Sequence, residues 1–436
     1  MKKLVASVGL FAVGASGVQA ASAAALTAEP SKFWSVSATL RGFYDDNLGT
    51  VGDGFQKTRT FGFEISPSFS LSWPLEQTLL SLGYVYSFRW YEKRVPLFDP
   101  TTGLPLKTDK YDQTHSFTAL MNHAFSERYV LNVQDSFVIG QEPDFLRAGT
   151  TFTTFQRVPG DNIRNYGNIK FNAQITHLFG IEVGYENSFF HYDDEGGNAF
   201  SPSRAGLLDR IEQYVHLDGR WQLQPQTVGV VGYQYGQTDY TGDEEIGFDP
   251  LLGVFYRSDA RNQRSHFAYV GVDHSFRPDL SGAVRVGVRY TDYYNAPTSS
   301  DSISPFARAS LQYTYAPESH LDLSISHDRN ATDLFSASAG NITVDQESTA
   351  VAGSVTHRIV PRLFGSLVAQ FQNSTVNGGS INDVSERYYL VGLNVEYQFN
   401  PHFSAHAGYN YDKLDSDVLG RSFDRNRVYV GVTASY

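Results

Sequence analysis

The chain has 436 residues, with 38 Gly, 27 Tyr, 31 Phe, no Cys and a formal net charge of -12. An acidic balance offers nucleic acid no basic face, and the lack of cysteine excludes a disulfide framework, a thiolate metal site and a catalytic thiol. A mean hydropathy of -0.31 is too polar for a bundle of membrane helices, while 14 % aromatic residues are too many for a disordered chain.

Lys2 and Lys3 precede an apolar stretch over 4–18, and small residues follow over 20–25. That order predicts a secretory signal peptide over 1–25, cut somewhere in 20–25, with a single domain over 26–436. No later segment reaches the ~18 consecutive apolar residues of a membrane helix. Residues 26–33 are too few for a plug domain, and with Tyr436 last no further domain is expected.

From there the sequence repeats one pattern. Phe61, Phe63, Ile65, Pro67, Phe69, Leu71 and Trp73 alternate with Gly62, Glu64, Ser66, Ser68, Ser70 and Ser72. A period of two places one set on each face of a strand. The alternation runs for roughly 10 to 15 residues, the length a tilted strand needs to cross a bilayer. It recurs over 34–44, 59–73, 78–91, 111–125, 129–141, 165–177, 181–192, 208–223, 227–240, 262–276, 280–293, 304–316, 320–330, 344–357, 363–375, 385–399, 403–413 and 426–436. Short turns alternate with long polar loops between these segments. The reading is an all-β chain forming one closed antiparallel transmembrane β-barrel of about 18 strands, with 16 as the alternative, short periplasmic turns and long external loops. A propeller would show a recurring motif every ~40 residues, which is absent.

Two features strain the pattern. Asp135 falls between Val133 and Phe137 on the apolar side, which implies either a register slip, the preferred reading, or contact with a neighbouring subunit. His123, His177, His274, His320, His357 and His402 cluster beside the short turns, as interfacial residues would. The acidic runs Asp193–Glu195 and Asp243–Glu245 lack the spacing of a calcium loop and read as solvated. No nucleophile, zinc or phosphate-loop motif is present, so no catalytic residue, cofactor or metal ligand is assigned, and the protein is not expected to be an enzyme.

The opposite face is predicted to line a pore through Arg41, Glu64, Arg89, Asp112, Lys170, Glu182, Glu186, Arg210, Glu212, Asp218, Arg220, Arg285, Arg289, Arg308, Asp322, Glu396 and Arg427, with Asp328 and Asp412 beside them. The two signs nearly balance, which predicts weak ion selectivity. The third long loop, 142–164, carries Phe145, Arg147, Phe152, Phe155 and Arg157. An apolar spine with charges predicts a segment that folds into the lumen as a constriction.

Phe43-Tyr44-Asp45-Asp46-Asn47 at the end of the first strand, with Tyr/Gly-rich hairpins running to a terminal aromatic, resembles the putative β-barrel porin family of type 2. The resemblance implies a Gram-negative outer-membrane barrel, in some members associated with exopolysaccharide production and export. It supplies no binding residues. The leading reading is a porin-like channel for passive passage of hydrophilic solutes, with polysaccharide export as a variant suggested by inward Tyr166, Tyr192, Tyr214, Tyr388 and Tyr429. The alternatives are an adhesion barrel that binds a partner through its loops and, behind it, an outer-membrane hydrolase. Expected partners are outer-membrane lipids and the barrel assembly machinery, met through the last strand ending in Tyr436. Oligomeric state is left open.

Overall fold

The computed structural model describes residues 33–94, 97–98, 105–106, 109–140, 161–193, 197–298 and 301–436. The predicted leader and the constriction candidates Phe145, Arg147, Phe152, Phe155 and Arg157 lie outside the described residues.

Eighteen strands form one sheet. They are β1 (Trp34–Asp45), β2 (Thr60–Pro74), β3 (Thr78–Tyr91), β4 (Tyr111–Ser126), β5 (Tyr129–Gly140), β6 (Asn162–Gln174), β7 (Phe179–Tyr192), β8 (Arg210–Gln224), β9 (Thr227–Tyr240), β10 (Gln263–Arg277), β11 (Leu280–Asp292), β12 (Asp301–Ala316), β13 (Ser319–Asn330), β14 (Asp345–Val360), β15 (Leu363–Asn377), β16 (Ser385–Asn400), β17 (Phe403–Ser416) and β18 (Phe423–Ser435). Each pairs antiparallel with its chain neighbours, and β1 closes on β18 from Ser37↔Ser435 to Asp45↔Arg427. The sheet is a closed barrel, which leaves no strand edge unpaired.

Alternation fixes the two faces. On β2, Phe61, Phe63, Ile65 and Phe69 are exposed, whereas Glu64, Ser68 and Ser70 are buried. The apolar set therefore points outward in every strand, around the whole ring. The strands run two or three residues beyond the alternating stretches at the loop rim, as at Asp301 and Phe423. There the outward positions become polar, so the hydrogen-bonded ladder outlasts the hydrophobic pattern.

The turn rim has a repeated construction. Eight connections of two to four residues close it. In six of them the strand before the turn carries a bulge, whose extra residue is Phe125, Leu223, Phe276, Tyr315, Ile359 or Phe399. A bulge turns one side chain out of the ladder, and here each one is large and apolar. His123 packs edge-on to Phe125 and hydrogen-bonds Thr78 at 2.7 Å; His274 repeats this with Phe276 and Thr227 at 2.8 Å. Amphipathic rings of this kind suit a membrane–water boundary.

The loop rim is built differently. A short helix, Arg204–Leu208, is capped by the Ser203 hydroxyl, which accepts from the Gly206 N–H at 2.9 Å. A hairpin pairs Glu245–Asp249 with Val254–Arg257 and runs into a 3-10 turn, Ser258–Arg261. Tyr256, Ala260, Tyr293, Ile342 and Val344 bury one another where three loops meet. At the seam, loops 46–59 and 417–422 touch backbone to backbone: a Cβ on Gly52 would fall 1.9 Å from the Gly420 carbonyl oxygen.

Candidate functional site

All seventeen predicted wall residues occupy ladder positions on the inward face, opposite the exposed apolar stripe. Their charges are organised in threes. Glu64 lies between Arg41 (3.8 Å) and Arg89 (3.1 Å), and Asp328 between Arg289 (2.8 Å) and Arg308 (3.6 Å). Asp273 lies between Arg220 and Arg285, both at 2.7 Å, and Asp412 between Arg425 (3.3 Å) and Arg427 (3.4 Å). Glu64 and Asp273 take one guanidinium from each side, whereas Asp328 and Asp412 take both from the strands on one side; every group of three holds one surplus positive charge. The remaining acids, such as Glu182, Glu186 and Asp218, return the wall to near balance.

Sequence reading missed several members of this wall, among them Asp273, Arg164, Arg425, Glu386 and Asp45. Asp273 faces inward on β10 on the side of Phe267 and Tyr269, whose aromatic rings interrupt the otherwise polar row of Gln263, Ser265, Gly271 and Ser275. Arg164 precedes the alternating stretch of β6, and Arg425 that of β18; both are buried.

Asp135 requires a correction. The ladders on both sides of β5 run without a shift through Asp135, so no register slip turns it inward. It faces outward, and the Asn165 side-chain amide donates to its two oxygens at 2.8 and 3.1 Å.

Two arcs of the inner wall contrast. Over β1–β4, on the turn side of the Arg41–Glu64–Arg89 group, the lining is short and hydroxylated, with Ser35–Ser70, Ser37–Ser68 and Ser66–Ser87 hydrogen-bonded at 2.6, 2.6 and 2.8 Å. Over β7–β13 it is large. Phe267 packs on Phe306 at 5.3 Å, with Arg289 over the first ring and Arg308 over the second, both at 4.9 Å. Gly184 leaves room for His216, whose ring a Cβ there would strike. A solvent-connected cavity lies along this arc, bordered by Lys170 of β6 and by Glu186, His216, Tyr269, Arg308 and Ser326. Of the inward tyrosines, Tyr192 and Tyr388 are buried, so neither offers a ring face to the lumen; Tyr166, Tyr214 and Tyr429 stay partly exposed.

A line of contacts crosses the loop rim. Arg261 is fully buried, stacked over the inward Tyr240 at 4.2 Å. It donates to the Thr332 carbonyl at 2.9 Å and to the Leu207 carbonyl. The next residue, Asp333, accepts two bonds from Arg421 at 2.9 and 3.1 Å, and Arg421 also donates to Glu386 at 2.8 Å. Arg261 precedes β10 and Arg421 precedes β18, eight strands apart in a ring of eighteen. Following the wall, eight spacings cover at least about 38 Å. Two extended arginines and one peptide link reach no more than roughly 30 Å. The contacts therefore cut across the opening. Burial works against the Arg421 charge, but Asp333 and Glu386 outweigh it and hold its pKa above the usual arginine value; burial lowers that of Arg261.

Among the described residues no three His, Asp or Glu side chains gather into a metal-sized group. Glu244, from one acidic run, accepts the Ser203 hydroxyl.

A family model described as Putative beta-barrel porin 2 matches residues 346–436, which span β14 to β18. No curated protein matches the sequence. Among solved structures, Acinetobacter baumannii OccAB4 is similar with a TM-score of 0.45 and 12 % identity, over 93 % of this chain and 99 % of its own. Pseudomonas aeruginosa OpdK with vanillate gives 0.45 and 12 %, over 92 % and 99 %.

Proposed function

We propose that this chain is an outer-membrane channel for passive passage of hydrophilic solutes, delivered by a cleaved signal peptide and narrowed at its external mouth by the Arg261–Asp333–Arg421 bridge. The observation that carries the reading is the two-faced wall: a continuous apolar belt outside, and hydroxyls and compensated charges inside. Such a wall is stable only with lipid on one side and water on the other. Eighteen strands enclose more space than wall side chains can fill, so an aqueous path remains. Wall residues from Arg41 to Arg427 then line that path, and near-balance of charge gives weak selectivity. Polysaccharide passage is the narrower form of this reading, resting on the family resemblance; Tyr166, Tyr214 and Tyr429 are the partly exposed tyrosines, among the five named, able to meet a sugar.

Single-channel recording in planar bilayers tests it. The wild-type chain is expected to conduct, and Arg261→Ala with Arg421→Ala to raise the conductance at unchanged folded yield. No current at any voltage would remove the channel reading in favour of a loop-binding barrel. Unchanged conductance in the double variant would place the constriction elsewhere, with 142–164 as the next candidate.

A further inference from the structure

Asp135 stands alone in its surroundings. Within eight residues of the turn rim on each described strand, outward positions carry no other Asp, Glu, Lys or Arg except Arg277 at the rim itself; along the ladder row of Asp135 the next charge on the β10 side is Arg264, reached through Gln213↔Gln237 and Gln237↔Arg264. The ladder pairs Ala119↔Asp135, Asp135↔Gly167, Gly167↔Asn187 and Asn187↔Gln213 form one row across β4 to β8. Directly below it runs Met121, Val133, Ile169, Tyr185 and Val215, which is apolar but for the Tyr185 hydroxyl. The polar row is thus set into the belt that faces lipid.

Hydrocarbon supplies neither donors nor acceptors, and a carboxylate in it is costly. The Asn165 amide relieves part of that cost at Asp135. Among the described residues the side chains of Asn187 and Gln213 make no hydrogen bond. Ala119 and Gly167 flank Asp135, so the surface is low there and another wall can approach closely, as small residues permit in membrane interfaces.

The chemistry of the row selects its occupant. It holds an acceptor-only carboxylate together with two amides that both donate and accept. Such a set is complementary to itself: turned about a two-fold axis near Gly167, the amides of one copy face the carboxylate of the other, the requirement for an isologous contact. We propose that two copies of this chain meet through the β4–β8 face, joined by Asp135, Asn187 and Gln213. The proposal needs the wall to face lipid but does not depend on what the lumen carries.

The cysteine-free sequence makes the test direct. Ile169→Cys places a thiol one row below Gly167, and Val351→Cys places one on exposed β14, eight strands away. After oxidation in liposomes at low protein density, Ile169→Cys should give several-fold more covalent dimer than Val351→Cys. Adding Asp135→Leu should return that yield to the control level while the heat-resistant folded band on gels persists, since Leu suits the lipid face. Equal yields from the two cysteines, a dimer indifferent to Asp135→Leu, or an adduct not twice the chain mass would overturn the contact. A chain that stays soluble without detergent would instead sink the membrane reading, which separates the two failures.

Discussion

The β1–β4 arc and the β7–β13 arc obey the same alternation outside and share the motif of a carboxylate between two guanidinium groups, but differ inside in the bulk of the remaining side chains. The first presents serine rows that bond across strands and project little. The second stacks Phe267 and Phe306 under arginines and threads acids between guanidinium groups. Short side chains leave space on the first arc, and long ones crowd the second.

That contrast can be broken by exchanging faces within the serine arc. Phe69 is outward on β2, and Arg at that position should cost ~2–4 kcal/mol near mid-belt. Ser68, inward beside Ser37, should accept Arg with normal assembly and a lower conductance. Equal folding yields, measured by heat-modifiable gel mobility, would undo the facing of β2. In the charged arc, Asp273→Asn strands Arg220 and Arg285 without their shared anion. The expected loss is about 1–3 kcal/mol, with a reversal potential in a salt gradient displaced toward anion preference. Ser37→Ala in the serine arc should leave that potential unmoved; a common shift in both variants would mean that the arcs are electrically alike.

The smallest effect concerns the loops above the charged arc. Asp249 accepts the Gly340 N–H at 2.7 Å and that of Leu251 at 2.9 Å, bonds that hold its carboxyl below the usual range. A depressed pKa contributes stability that is complete above the unfolded value of ~3.9 and disappears as pH falls through the folded one. Protease sensitivity of 241–261 should therefore be flat from pH 6 down to about 4 and rise below it. Loosening already at pH 6 would assign the control to another group.

Much of this was legible from periodicity. Strand number, facing and the inward charges follow from a period of two, because lipid and water impose opposite demands on successive residues. The misreadings arise where that demand lapses. β12 begins at Asp301 and β18 at Phe423, above the belt, where outward side chains no longer need to be apolar. Asp273 hides because its inward neighbours are aromatic, and Asp135 seems misplaced because an outward carboxylate breaks the rule that located every other strand. The Arg261–Asp333–Arg421 bridge has no sequence pattern at all, since it joins loops that only ring closure brings opposite one another.

Ring closure also bears on how the chain folds. Every barrel pairing except one joins consecutive strands, which form by short loop closures at little entropic cost. The exception is the β1–β18 seam, where Thr39 meets Thr433 across 394 residues at 2.8 Å. Asp46 there takes the Asn426 N–H at 2.6 Å and Asn47 donates to the Asp424 carbonyl at 2.9 Å, so the Asp-Asp-Asn stretch acts as the latch. Until β18 emerges, a nascent sheet presents two bare strand edges, and bare edges template aggregation. Synthesis interrupted before residue 423 should therefore yield aggregate rather than a smaller barrel, and the last strand made decides the fate of all the others.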